Sequence, residues 1–166
     1  MITAHYFGFK ILVRNNLTTK LDDKDKKLLN LLQENGRASY SKLAGELDLS
    51  EATVRYRVKK LVDSGVIKNF TVLLDPKKIG YLNTGILMVK LIPEFFEQAS
   101  KEISDLPEAH HVFQNTGEYD IMAVVQARDL AHLSDIRKRV EMIEGVRDVS
   151  LSATTRVIKI KTTFDL

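Results

Sequence analysis

The chain has 166 residues, of which 44% are hydrophobic and 28% are charged, and it contains no cysteine. This composition is typical of a globular protein rather than a disordered one. The lack of cysteine excludes disulfides, thiolate metal sites and a cysteine nucleophile. Because no apolar run approaches the roughly 20 residues of a membrane helix, we expect a soluble, cytoplasmic protein without a membrane partner.

The net charge of +3 conceals an uneven distribution. Residues 1–79 carry 15 Lys and Arg against 9 Asp and Glu, a balance of +6, whereas residues 80–166 carry 10 against 13, a balance of −3. A basic half joined to a mildly acidic half indicates that one domain meets a polyanion and the other does not.

Residues 1–20 are interpreted as an N-terminal extension without an assigned function. Their apolar stretch is short, is interrupted by Lys10 and lacks a small-residue cleavage site, which argues against a secretion signal. The β-branched and aromatic residues from Tyr6 to Val13 favour a strand-like arm. A disordered tail and an upstream start codon are the alternatives.

Three helices are predicted next, over about residues 22–35, 40–47 and 51–64, with Asp22, Ser39 and Ser50 as N-terminal caps. The three-residue turn between the second and third helices is the spacing of a helix-turn-helix. Asp48 stands in this turn where glycine is usual, and aspartate tolerates the left-handed conformation. Strand formers at 66–74 then predict a wing.

The third predicted helix has one apolar face, because Val54, Val58 and Leu61 recur at helical spacing. Its other face is basic, so its cations can meet phosphates while residues near its N-terminus reach base edges of double-stranded DNA. A merely solvated amphipathic helix is the alternative, and the two preceding helices at the right spacing favour DNA. The predicted DNA-binding residues are Ser50, Ala52, Thr53, Arg55, Tyr56, Arg57, Lys59 and Lys60.

The second half of the chain is predicted to have the element order β-α-β-β-α-β. Strands are predicted at 84–92, 109–115, 119–127 and 146–161, and helices after Pro93 and over 130–144. The fold class is therefore α+β, with a winged helix-turn-helix at 21–74, a turn-rich linker at 75–83 and a ferredoxin-like domain at 84–166. Apolar residues on both faces of the strands predict that a homodimer covers the face that the helices leave open.

Several short motifs together resemble the Lrp/AsnC, or feast/famine, family of prokaryotic transcriptional regulators. They include Leu21-Asp22-x-x-Asp25-x-x-Leu28-Leu29, Gly65-Val66-Ile67, Asp75-Pro76, Thr116-Gly117-Glu118-Tyr119-Asp120 and Glu144-Gly145-Val146. The resemblance covers about residues 21–161. It implies dimers formed through the C-terminal sheets, higher oligomers of those dimers, and an amino-acid effector bound between dimers.

The resemblance places the effector beside the loop that joins the two central strands. Backbone N–H groups of a glycine turn can cradle a carboxylate, and Glu118 or Asp120 can pair with an ammonium group. A simple hairpin turn is the alternative. The predicted effector-binding residues are Thr116, Gly117, Glu118, Tyr119 and Asp120.

Two other functions remain open at this point. Siroheme decarboxylases resemble the same family in both domains, and a nucleoid-architectural protein would bind DNA without an effector. A basic third helix has no use in an enzyme, and strand alternation would point His110 and His111 to opposite faces. We therefore expect a non-enzymatic regulator with no catalytic residue, metal or cofactor.

Overall fold

The computed structural model describes residues 3–6 and 9–12 through their backbone and residues 19–166 in full. Strands β1 (Thr3–Tyr6) and β2 (Phe9–Leu12) pair in an antiparallel manner. The strand predicted from Tyr6 to Val13 thus covers β2, while its residues 7, 8 and 13 lie outside the described residues. Contacts divide the chain into two compact units, one ending at Val72 and including Lys161–Leu166, the other spanning Leu73–Ile160.

The first unit contains the three predicted helices, α1 (Asp23–Glu34), α2 (Tyr40–Leu47) and α3 (Glu51–Asp63). Each begins at its predicted cap, whose side chain accepts a hydrogen bond from a backbone N–H three residues along. Asp48 ends α2 in the left-handed conformation, with φ of 52°. The helix-turn-helix prediction is confirmed.

These helices surround a small apolar cluster and are also linked by lysines. The ammonium groups of Lys24 and Lys27 on α1 donate to the carbonyls of Leu47 and Glu46, the second at 2.6 Å. The last carbonyls of a helix have no partner within it, so the two lysines close the C-terminus of α2. The buried residues of the cluster are Leu28, Leu29, Leu43, Ala44, Leu47, Val54, Val58 and Leu61.

The C-terminal segment belongs to this unit through the side chain of Gln33 on α1. Its amide Nε2 donates to the carbonyl of Phe164 at 3.0 Å, and its Oε1 accepts from the N–H of Phe164 at 2.7 Å. Asn30 donates to the carbonyl of Leu166 at 3.3 Å. One turn of α1 therefore holds the backbone of residues 164–166.

The wing predicted at 66–74 is neither helix nor strand, so this strand prediction is wrong for the chain described. The side chains of Phe70, Val72, Leu73 and Leu74 are exposed there. Strand-forming side chains make a strand only where a neighbouring backbone takes up their N–H and C=O groups. The same reason applies to the final strand, which ends at Ala153 rather than at residue 161.

The second unit has the predicted βαββαβ order, and its four strands form one antiparallel sheet in the order β4-β5-β3-β6. A short 3₁₀ turn at Pro93–Phe95 precedes its first helix. The fold class is confirmed. The elements are β3 (Asn83–Leu91), α4 (Phe96–Ser104), β4 (Ala109–Gln114), β5 (Ile121–Ala127), α5 (Leu130–Glu141) and β6 (Val146–Ala153).

Close packing defines the helix-covered face of this sheet. Leu87, Val89 and Val125 are fully buried against residues such as Ile136 of α5. A Cβ at Gly85 would lie 2.7 Å from Cδ2 of Leu133 and 3.0 Å from Cδ1 of Leu151. Glycine at position 85 therefore lets α5 approach β3 closely.

The opposite face of the sheet is apolar at its centre and only partly buried. It carries Ile86 and Met88 of β3 beside Val124 and Met122 of β5, which are paired in register. Phe113 of β4 pairs with Met122 and is 38% exposed. No helix among the described residues is long and apolar enough to cross a bilayer.

Candidate nucleic-acid interface and effector loop

Helix α3 has one buried and one exposed face. Val54, Val58 and Leu61 are almost fully buried, whereas Tyr56 is 68% exposed. The exposed residues of the helix also include predicted contacts on the basic side: Ala52, Arg55, Lys59 and Lys60. Helix α3 therefore has an exposed face with a tyrosine, a small residue and three cations.

The N-terminus of α3 is organised by two hydroxyl groups. Oγ of Ser50 accepts from the N–H of Thr53 at 3.1 Å and lies 2.8 Å from Oγ1 of Thr53. A hydroxyl can donate once and accept twice, so each retains hydrogen-bonding capacity beyond this pair. Ser50 and Thr53 thus keep hydrogen-bonding capacity at the N-terminus of α3.

The predicted cations on α3 have different surroundings. The guanidinium of Arg55 lies 4.8 Å from the ring centre of Tyr40, an arrangement that fits a cation–π contact. Nζ of Lys59 is 2.6 Å from Oδ2 of Asp63, and both side chains are well exposed. Such an exposed pair is weak and screened by salt, so it offers little resistance to a phosphate.

Arg57 differs from the other predicted contacts because it points toward α1. Its Nη1 lies 2.7 Å from Oδ2 of Asp22 and 2.7 Å from Oδ1 of Asp25, and its side chain is 22% exposed. The hydrogen bond from Arg57 holds the pKa of Asp22 below its usual range. The sequence predicts Asp22 as a helix cap and shows Asp25 only within a short motif, and nothing in the local pattern indicates a partner more than thirty positions away.

The predicted effector loop connects β4 to β5. The N–H of Asn115 donates to the carbonyl of Asp120 at 2.8 Å, and Gly117 has φ of 137°, a conformation that favours glycine. The loop borders an open depression of about 500 Å³. Its lining residues are Met88, Gln114, Asn115, Thr116, Glu118 and Tyr119.

Lys90 is a residue of this region that sequence reasoning missed. Its Nζ lies 3.0 Å from Oε1 of Glu118 and 4.9 Å from the ring centre of Tyr119. The hydrogen bond that Lys90 donates to Glu118 raises the pKa of Lys90, so the ammonium stays charged. The available signal was strand alternation, which puts Lys90 on the same face as Met88.

Asp120 has a partner in the sheet. Its Oδ2 accepts from the N–H of Leu91 at 2.8 Å, and its own N–H donates to the carbonyl of Val89 at 3.0 Å. These two hydrogen bonds extend the contact between β3 and the start of β5 beyond the last paired residues, Val89 and Ile121. Of the two acids predicted to meet an ammonium group, Glu118 is the one that lines the depression.

The two adjacent histidines have separate surroundings. His110 meets Tyr81 edge to face at 6.4 Å between ring centres, whereas His111 stacks on Phe113 at 6.1 Å. Within the part of the chain that the structure describes, no three His, Asp or Glu side chains converge in a way that could hold a metal ion. Nothing in these contacts brings the two imidazoles to one reaction centre.

A half-buried acid, Glu108, joins the start of β4 to α5. Oε1 of Glu108 lies 2.6 Å from Nη2 of Arg139 and 3.1 Å from Nε2 of His132. Burial alone would raise the pKa of Glu108, but the hydrogen bonds from Arg139 and His132 hold it below its usual range. The cluster thus connects the residue before β4, an edge strand of the sheet, with α5.

Comparison with known protein families gives two consecutive matches. Residues 21–68 match the winged helix-turn-helix DNA-binding family, and residues 84–164 match the Lrp/AsnC ligand-binding domain. The chain is 36% identical over 150 residues to a helix-turn-helix transcriptional regulator of Pyrococcus abyssi, covering 90% of this chain and 95% of that one. It is 33% identical over 130 residues to the regulator LrpA of Pyrococcus horikoshii, covering 78% and 92%.

Comparison with solved structures agrees with these family matches. A transcriptional regulator from Neisseria meningitidis, solved as a complex with L-Met, superposes with a TM-score of 0.82 at 27% identity. The match covers 87% of this chain and 96% of that one. The similarity therefore extends through both units and includes their order along the chain.

Proposed function

The chain belongs to the Lrp/AsnC family of DNA-binding transcriptional regulators, which are not enzymes, and we propose that it reads a specific DNA sequence as a homodimer that responds to an amino acid. The work would be divided between a DNA-reading domain at 21–74 and an oligomerising, effector-binding domain at 84–166. Residues 75–83 would link them, residues 1–20 would extend the first, and the protein would act in the cytoplasm.

The exposed basic face of α3 carries the DNA-binding part of the proposal. Lys59 and Lys60 would meet phosphates, with Arg55 beside them, because cations on a groove-lying helix neutralise the backbone. Ser50, Ala52, Thr53 and Tyr56 would lie nearer the bases, because the N-terminal part of such a helix enters the major groove. Two copies of α3 in a dimer would then address two half-sites.

The test begins with selection of bound DNA from random sequence. Lys60→Ala should weaken binding to every sequence and lower the salt slope by about one. Thr53→Ala and Tyr56→Ala should instead change the preferred sequence, at roughly 1–3 kcal/mol per lost base contact. Lys138→Ala, an exposed lysine of α5, is the matched control. Uniform coverage in footprints would support a nucleoid-architectural protein instead.

The open sheet face supports the homodimer. Ile86, Met88, Met122 and Val124 form an apolar centre that is only partly buried in one chain. A second copy presenting the same face would bury it through a two-fold interface. Val124→Lys should therefore yield monomers by light scattering, whereas Gln98→Lys, at an exposed position of α4, should not. A monomeric unaltered protein would overturn the dimer, and higher oligomers would appear as multiples of its mass.

The effector part of the proposal rests on the loop after β4. The Neisseria regulator was solved with L-Met, and in this chain Lys90 and Glu118 supply opposite charges beside an open depression. An amino acid carries the two matching charges, so its carboxylate would replace Glu118 on Lys90 while Glu118 turns to the ammonium group. Thr116, Gly117 and Tyr119 would shape the loop around it, and Asp120 would hold the loop to β3.

Titration calorimetry with each of the twenty amino acids tests this part. At least one should release heat and change either the oligomer or the DNA affinity. Lys90→Ala and Glu118→Gln should each remove that response, whereas Lys101→Ala on α4 should keep it. If no amino acid gives heat or shifts the assembly, the effector proposal fails while DNA binding stands.

A further inference from the structure

The guanidinium of Arg57 is held between two carboxylates at the start of α1. The same nitrogen, Nη1, lies 2.7 Å from Oδ2 of Asp22 and 2.7 Å from Oδ1 of Asp25. Asp22 is the cap residue of α1 and Asp25 is the third residue of that helix, and the two form a reciprocal capping box. Arg57 thus joins the middle of α3 to the first turn of α1.

The burial of Asp25 makes loss of this contact energetically costly. Asp25 is the buried charged residue of the described chain, 3% exposed, and its Oδ2 is already used by the N–H of Asp22. Removing Arg57 would leave Oδ1 of a buried carboxylate without a cation, which is strongly destabilising compared with breaking an exposed pair. The double contact also raises the pKa of Arg57 above its ordinary value.

The same geometry argues against a role for Arg57 on a phosphate. To reach DNA, the guanidinium would have to leave two carboxylates at once, whereas Lys60 is exposed and Lys59 would leave only one exposed acid. Tyr56 and Ala52 lie on the free side of α3, and Arg57 lies on the side facing α1.

We infer that Arg57 is a positioning residue, which fixes the rotation of α3 against α1 so that Ala52, Thr53 and Tyr56 face the bases, and that it makes no phosphate contact itself. The inference rests on DNA reading by α3. A rotation of α3 about its axis would move all three side chains together, so losing the clamp should affect discrimination between sequences more than general attraction to DNA.

Arg57→Ala separates these two roles through salt dependence. Each phosphate contact contributes about 0.9 to the slope of log affinity against log salt. We expect Arg57→Ala to keep the unaltered slope and to lower the ratio of specific to non-specific affinity about 10-fold, the size of one lost base contact. Lys60→Ala should reduce the slope by about one and leave the ratio nearly unchanged. A reduced slope in Arg57→Ala, or an unchanged ratio, would overturn the inference.

Asp22→Asn gives an independent answer if Arg57→Ala does not fold, which circular dichroism of the helices would reveal. It removes a negative charge near the DNA-binding helix but keeps Arg57 on Asp25. Because loss of a carboxylate raises the affinity for specific and non-specific DNA alike, the ratio of the two affinities is the diagnostic quantity. The ratio should fall if Arg57 is a positioning residue, and an unchanged ratio would overturn the inference. The α3 assignment itself is tested separately: unchanged DNA affinity and unchanged sequence preference in the Lys60→Ala, Tyr56→Ala double variant would contradict it.

Discussion

In the helix-turn-helix, α1 contacts its neighbours through charged side chains as well as leucines, whereas the C-terminal helices meet their sheet mainly through apolar packing. Lys24 and Lys27 reach the end of α2, and Arg57 reaches back to α1. In the second unit, Leu87, Val125 and Ile136 are fully buried, and its linking acids Glu108 and Asp120 lie at the sheet margins. The first unit therefore adds ion pairs and helix caps to an apolar cluster that is smaller than that of the second unit.

The largest expected effect comes from deleting apolar volume in the second unit. Ile136→Ala should lower the free energy of unfolding by about 2–5 kcal/mol, because its side chain is fully buried between α5 and the sheet. Urea unfolding at low and high salt should give the same loss. Leu130→Ala, on the same helix but 65% exposed, is the control. A loss that depends on salt would break the contrast between the units.

A glycine-to-alanine change should lower the free energy of unfolding in the second unit and raise it in the first. At Gly85 the added methyl would meet Leu133 at 2.7 Å, so the free energy of unfolding should fall by about 1–3 kcal/mol. At Gly45, in the middle of α2, a Cβ would meet nothing within 4 Å, so it should rise by about 0.5–1 kcal/mol. Denaturant midpoints of the two variants measure this, and equal signs would contradict it.

Acid should weaken both units by a smaller amount. Asp22 and Glu108 have folded-state pKa values below their ordinary values, which are about 4 in an unfolded chain. Their contribution is therefore present above that pH and is lost as the pH falls through the lower folded pKa. In urea unfolding at a series of pH values, Asp22→Asn and Glu108→Gln should each reduce the loss of unfolding free energy at low pH. If that loss is unchanged in both variants, other groups cause it.

The sequence predicted the features that depend on nearby residues and missed those that depend on distant ones. Caps such as Ser39 and Ser50 and apolar periodicity depend on neighbours within a few positions, and they located all three helices of the first unit and the βαββαβ order of the second. Arg57 is predicted as a DNA contact because the sequence does not show its two partners, which lie 35 and 32 positions away. A helical wheel shows that a residue lies on a flank but does not show what it meets there.

The loop after β4 shows a similar limit. The loop and its glycine turn were predicted from the sequence because turn chemistry is local, and the structure gives Gly117 a positive φ. Lys90 and the contact of Asp120 with Leu91 were missed, because they depend on how β3 and β5 align. The strand predicted at 66–74 failed for a related reason, since strand propensity does not supply a pairing neighbour.

The contacts of α1 with α2 and α3 affect how the first unit opens locally. Lys24 and Lys27 hold the last carbonyls of α2, and Arg57 ties α3 to the first turn of α1. Fraying of any one helix must then break contacts that belong to another. In native-state hydrogen exchange, amides in the middle of all three helices should therefore become labelled together, as one cooperative opening rather than helix by helix.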